Sequence, residues 1–176
     1  MKLYVARHGK TVWNEQNRVC GITDISLSGE GIRQAEELAR TVQKRKIDQI
    51  ISSPLNRAAE TSRIVASLCH IPFITDGRLT EQNYGIYEGV NRQNPSFLNN
   101  KRNFACKYPQ GESMMQTACR IYGFIDELKE NGGDKSLLLI THGGICRIIR
   151  TYFTDMTNDE FFEYTLGNGE LEEYDL

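Results

Sequence analysis

The amino-acid sequence predicts an α/β protein, a three-layer α/β/α sandwich with a mostly parallel central sheet. Three observations lead there. Apolar runs of strand length occur at Leu3-Tyr4-Val5-Ala6, Gln49-Ile50-Ile51-Ser52 and Leu137-Leu138-Leu139-Ile140. Stretches with helical spacing alternate with them, the order that lays helices on both faces of a parallel sheet. Each run is also followed by a cationic or potentially cationic group: Arg7-His8-Gly9, then Arg57, then His142-Gly143-Gly144. Ligands in open α/β sheets bind beyond the carboxyl ends of the strands, so these groups are expected to meet at one edge.

Taken in order, the first strand gives way to a polar loop through Thr23-Asp24. A helix follows that Ser28 is placed to cap, with Ile32, Ala35, Leu38, Ala39 and Val42 as its core stripe. The second strand runs into Ser52-Ser53-Pro54, read as a serine cap with proline in the first turn of a helix that carries Ile64, Val65 and Leu68 inward. Arg57 falls in that first turn, where orphan N–H groups and the helix dipole favour anions. Phe73-Ile74-Thr75 predicts a short strand leading to Arg78-Leu79-Thr80-Glu81.

Residues 90–111 are polar, contain Pro95 and Pro109, and show no clean period, so they are expected to form a short excursion over the active-site edge. Gly111-Glu112-Ser113 opens a helix with Met114, Ala118, Ile121, Ile125 and Leu128 in its stripe, closing at Gly132-Gly133. After the last strong strand a helix carries Ile145, Ile148 and Ile149, and Thr157-Asn158-Asp159-Glu160 has capping-box spacing for a last short helix. Residues 169–176 are expected to supply an edge strand.

A length of 176 residues predicts one domain spanning residues 1–176. Lys and Arg number 21 against 23 acidic residues, a net charge of −2, which argues against a nucleic-acid or anionic-membrane partner. The first apolar run is too short for a signal peptide and is broken by Arg7, and no stretch has the length of a membrane span. Cys20, Cys69, Cys106, Cys119 and Cys146 are odd in number and lack C-x-x-C spacing, which suggests neither a disulfide framework nor a zinc site. A reducing, cytoplasmic setting is expected. Oligomeric state is open.

Arg7-His8-Gly9-Lys10-Thr11-Val12-Trp13-Asn14 resembles the R-H-G-x-T-x-x-N signature of the histidine phosphatase superfamily, which includes cofactor-dependent phosphoglycerate mutases. Gly21, Asp24, Leu27, Gly31, Gln34 and Ala35 are similar to that family's next loop and helix, and residues 52–61 to its second motif. Glu81, Gly85, Glu88 and Gly89 resemble the acid-bearing segment, Gly111-Glu112-Ser113 the later helix start, and Thr141-His142-Gly143-Gly144 the final motif. The resemblance implies a phosphoglycerate mutase-like fold and a covalent phosphohistidine on His8. It implies a small phosphorylated substrate; neither a metal nor a cofactor is expected.

A phosphate monoester needs its oxygens neutralised, an attacking atom in line, and a proton for the leaving oxygen. His8 is the candidate nucleophile, kept unprotonated by nearby cations. Arg7 and Arg57 would grip nonbridging oxygens, joined by Asn14, Gly143 and His142. Glu81 is the candidate acid, then the base for water, with Glu88 and Glu112 as competitors. A metal held by His8, His142 and a carboxylate is disfavoured by the arginines. Cys146 reads as a small buried residue and His70 as structural. The shortness of the excursion and the end at Leu176 favour hydrolysis over mutase chemistry, and a phosphate-binding module without turnover is the third reading. Arg92, Lys101, Arg102 and Lys107 hint at an acidic substrate, or form a solvated basic loop.

Overall fold

The computed structural model describes residues 2–176. Five strands form one sheet in the order β3-β2-β4-β1-β5. They are β1 (Lys2–Arg7), β2 (Gln49–Ser52), β3 (Phe73–Thr75), β4 (Leu137–Thr141) and β5 (Leu171–Asp175). The first four pair in parallel, and β5 closes the β1 edge in the antiparallel sense. Every residue of β4 is buried, as expected of a strand covered on both faces.

The strand period of two divides the core. Leu3, Val5, Leu137 and Leu139 enter one layer, with α5 (Met114–Asn131), α6 (Gly143–Phe153) and α7 (Asn158–Glu163) packed on it. Tyr4, Ala6, Ile50, Leu138 and Ile140 enter the other, against α2 (Gly29–Val42) and α3 (Asn56–Cys69). This is the three-layer sandwich. Helix ends follow local chemistry: Ser28 Oγ accepts from Gly31 N–H at 3.3 Å, and Ser113 with Gln116, and Thr157 with Glu160, form capping boxes.

Four expectations need correction. Ile32 and Leu68 are 39% and 47% exposed, because the buried faces of α2 and α3 are narrower than their apolar spacing suggests. The serine cap at 52–53 is absent: α3 starts at Asn56 with Leu55 as an N-cap that makes no side-chain bond. The polar excursion holds a helix of its own, α4 (Pro95–Lys101), capped by Asn94 and anchored by buried Phe97 among Val19, Tyr84, Tyr87 and Tyr108. The first loop likewise opens with a turn of helix, α1 (Val12–Glu15). No helix among the described residues is long and apolar enough to cross a membrane.

Candidate active site

Register brings the two histidines together. Arg7 on β1 pairs with Thr141 on β4, so His8 and His142 leave adjacent strands side by side. His8 N–H donates to Thr141 O at 3.0 Å, and the two rings lie 5.1 Å apart between centroids. From β2, Ser53 N–H donates to Ile140 O, which sets Ser53 Oγ 2.7 Å from His142 Nε2. The serine expected to cap α3 is instead a histidine partner. Arg57, in the first turn of α3, is wholly buried behind the rings.

The hydrogen bonds fix the tautomers. His8 Nδ1 lies 2.6 Å from Gly9 O, and a carbonyl only accepts, so Nδ1 carries the proton and Nε2 is bare. Arg57 Nε–H is shared between His8 Nε2 at 3.3 Å and His142 Nδ1 at 3.2 Å. His142 therefore carries its proton on Nε2 and donates it to Ser53 Oγ. His142 was expected to donate toward phosphate; here its Nδ1 accepts, and it becomes a donor only on gaining a second proton. Burial, then Arg57 and then Arg7, hold His8 well below the usual histidine range. Burial, then Arg57 and His8, do the same to His142.

The arginines are partly committed to backbone. Arg57 donates from its terminal nitrogens to Thr23 O at 3.0 Å and Gly21 O at 2.6 Å, which leaves Nε as the group directed at the histidines. Arg7 donates to Leu166 O at 2.8 Å, while its Nε is buried without a partner among the described residues. Such an orphaned donor costs about 1–3 kcal/mol until an acceptor arrives. Asn14 Oδ1 accepts from Thr11 N–H at 3.0 Å, so its NH₂ group is the part left to donate.

A cavity of about 250 Å³ opens over His8, lined also by Arg7, Asn14, Glu81 and Gly143. Arg57 and His142 lie beneath that surface. Glu81 is buried and receives Gln82 N–H on Oε1 at 2.9 Å and Gly144 N–H on Oε2 at 3.0 Å. A Cβ on residue 144 would stand 2.5 Å from Glu81 Oε1, so the glycine makes room for the acid. The competing carboxylates are occupied elsewhere. Glu88 accepts four backbone N–H groups, from Gly21, Ile22, Thr23 and Tyr84, and Glu112 accepts from Asn83 N–H and pairs with Arg120.

Cys146 is buried, and burial pushes its thiol far up, away from nucleophile chemistry. His70 is an exposed left-handed residue ending α3. Two supports lie in the stretch 52–61 that resembles the family's second motif but receive no role at the histidines from the sequence: Ser53, and Thr61, whose Oγ1 accepts Gly9 N–H at 3.1 Å.

A family model described as histidine phosphatase superfamily (branch 1) matches residues 3–176. The chain belongs to that superfamily. It is 34% identical over 152 residues to a protein from Yersinia pestis (strain Pestoides F) named "Probable phosphoglycerate mutase GpmB", covering 81% of this chain and 70% of that one. Among solved structures it resembles a mycobacterial glucosyl-3-phosphoglycerate phosphatase in complex with VO3, at 26% identity, TM-score 0.86, covering 98% and 91% of the two chains. The α-ribazole phosphatase of Shigella flexneri is similar in fold at TM-score 0.87 and 23% identity, covering 100% of this chain and 91% of that one.

Proposed function

We propose that residues 1–176 act as one catalytic domain, a phosphomonoester hydrolase that works through a phosphohistidine on His8. The observation that carries this is the unprotonated Nε2 of His8, its tautomer locked by Gly9 O, on a residue that lines one cavity with Arg7, whose Nε has no partner among the described residues, and with buried Glu81.

A small phosphorylated substrate enters with its phosphorus in line with His8 Nε2. Arg7 Nε and the Asn14 amide take nonbridging oxygens, and Arg57 Nε turns its shared proton from the two imidazoles to the phosphoryl group. His142 takes up a second proton from solvent in the field of the dianion and so adds a donor, and returns it to solvent when orthophosphate leaves. The N–P bond forms as the P–O bond to the leaving group breaks, and Glu81 gives that oxygen its proton. Glu81 next takes a proton from water, whose oxygen attacks phosphorus. The N–P bond breaks, orthophosphate leaves, and Glu81 holds its proton again.

Exposed Gln93 and Leu98 on the cavity wall leave a path for water, which supports hydrolysis. The solved phosphatases of the same fold support it too. The name of the Yersinia relative favours the second reading, a mutase in which phosphohistidine returns its phosphoryl group to a bound intermediate. Release of inorganic phosphate from p-nitrophenyl phosphate, abolished in His8→Ala, tests turnover. Incubation of 3-phosphoglycerate with catalytic 2,3-bisphosphoglycerate separates the two enzymes: net phosphate release is expected of the hydrolase, and isomerisation without release overturns it.

A further inference from the structure

The Nδ1 proton of His8 goes to Gly9 O, and that carbonyl belongs to the planar peptide joining Gly9 to Lys10. The other end of the same peptide is held from α2, where Lys10 N–H donates to Gln34 Oε1 at 2.9 Å. In a trans peptide the carbonyl and the N–H point in opposite directions, and no peptide among the described residues is cis. A grip on Lys10 N–H therefore also fixes where Gly9 O points. The preceding peptide, which joins His8 to Gly9, is held at both ends. Its carbonyl, His8 O, accepts from Asn168 Nδ2 at 2.9 Å, and its N–H donates to Thr61 Oγ1. The loop has little room for another arrangement. Ser28 N–H, at the N-cap of α2, donates to Lys10 O at 2.9 Å, and a Cβ on residue 9 would run into Gly31 O.

Gln34 and Asn168 stand apart from the chemistry. Neither is among the residues that line the cavity. Gln34 is half-buried on α2, and Asn168 is half-buried in the turn between α7 and β5. That turn is docked on β1 by backbone bonds of its own, Gly169 N–H to Arg7 O at 3.0 Å and Arg7 N–H to Glu170 O at 3.2 Å, so the Asn168 amide is not needed to keep it there. What the two side chains share is a peptide group next to Gly9. In a neutral imidazole the hydrogen bond made by one ring nitrogen decides which nitrogen is bare. A carbonyl held in place is thus a choice of nucleophilic atom.

We propose that Gln34 and Asn168 are positioning residues for His8: by fixing the two successive peptides that meet at Gly9 they keep Gly9 O on Nδ1, and so leave Nε2, the nitrogen beside Arg57, without a proton. They act through the backbone of the loop and not on the substrate. The inference rests on the hydrolase reading for what that nitrogen does in turnover, but the tautomer is measured without turnover.

Protein labelled with ¹⁵N in its three histidines reports the tautomers by NMR, the His8 signals being those missing from His8→Ala. At neutral pH the wild type is expected to show His8 with Nδ1 protonated and Nε2 bare. Gln34→Met removes the acceptor at similar size and is expected to mix in the opposite tautomer. Its kcat/KM for p-nitrophenyl phosphate is expected to fall about tenfold or more, toward the roughly 10²-fold that a misplaced reacting group can cost. Inhibition by inorganic phosphate is expected to change by less than about threefold, because Arg7 and Arg57 are held by Leu166 O, Thr23 O and Gly21 O instead. Gln34→Glu keeps an acceptor for Lys10 N–H and is expected to restore the wild-type tautomer. Asn168→Asp keeps the shape, removes the donor, and is expected to shift the tautomer in the same direction as Gln34→Met, so that either variant decides if the other fails to fold. An unchanged His8 tautomer in folded Gln34→Met or folded Asn168→Asp overturns the proposal, as does a loss of phosphate inhibition in step with turnover, the mark of a general loosening. Wild-type enzyme that shows the tautomer yet releases no phosphate from p-nitrophenyl phosphate would instead overturn the hydrolase reading and leave the positioning result standing.

Discussion

At the scale of single residues, the site is governed by which nitrogen of each imidazole holds a proton. Gly9 O takes the Nδ1 proton of His8, and Ser53 Oγ takes the Nε2 proton of His142, so both bare nitrogens face Arg57. Glu81, the acid of the proposed function, is set by a different device, two backbone N–H groups and a glycine beside it. A Glu81→Gln variant keeps the size and one of the two backbone hydrogen bonds and loses the proton. Its kcat/KM for an alkyl phosphate such as glycerol 3-phosphate is expected to drop about 10² to 10⁴-fold, with a much smaller loss on p-nitrophenyl phosphate, whose leaving group needs no acid. Equal losses on the two substrates would remove Glu81 from that role.

Among elements, the contact that matters most joins the end of β1 to α3. Thr61 accepts Gly9 N–H and donates to Arg57 O, so one hydroxyl holds both the histidine loop and the arginine turn. Thr61→Val leaves the Gly9 N–H buried and unpaired, at a cost of about 1–3 kcal/mol. For a chain of this size that lowers Tm by roughly 2–10 °C. Thr61→Ser, which keeps the hydroxyl, is expected to restore most of the stability and of kcat, and thermal unfolding beside steady-state kinetics checks both. Thr61 also marks the limit of what the sequence tells. Arg7, His8, Arg57 and His142 were legible because each follows an apolar run, and strand ends are where α/β sheets gather ligands. The hydroxyls of Ser53 and Thr61 were not, since serine and threonine have many local uses and only the tertiary fold selects a partner. Helix α4 was hidden for a related reason: Phe97 is the one buried residue in it, so it has no apolar stripe to read. Ile32 and Leu68 misled in the opposite sense, being apolar residues at helical spacing that the layers leave outside.

For the molecule as a whole, the sheet keeps two neutral histidines between layers, and stability has to respond to pH. Both imidazoles sit below their usual range when folded, so between that depressed range and about pH 6.5 the unfolded chain binds protons that the native state refuses. Stability from these groups is therefore complete above about pH 6.5 and is lost as pH falls. Thermal unfolding is expected to show Tm declining from pH 7 to pH 5, less steeply in His8→Gln, and a decline of equal slope in the variant would mean that other groups set it. The same burial keeps the His8 imidazole neutral, the form the proposed nucleophile requires. The proposed function turns on a transient N–P bond at one ring nitrogen. Rapid quenching of the enzyme during turnover of ³²P-labelled substrate, followed by peptide mapping, is predicted to recover label that is acid-labile and alkali-stable on His8 and absent from His8→Ala. Steady turnover with no label at His8, or label on another residue, would contradict the account.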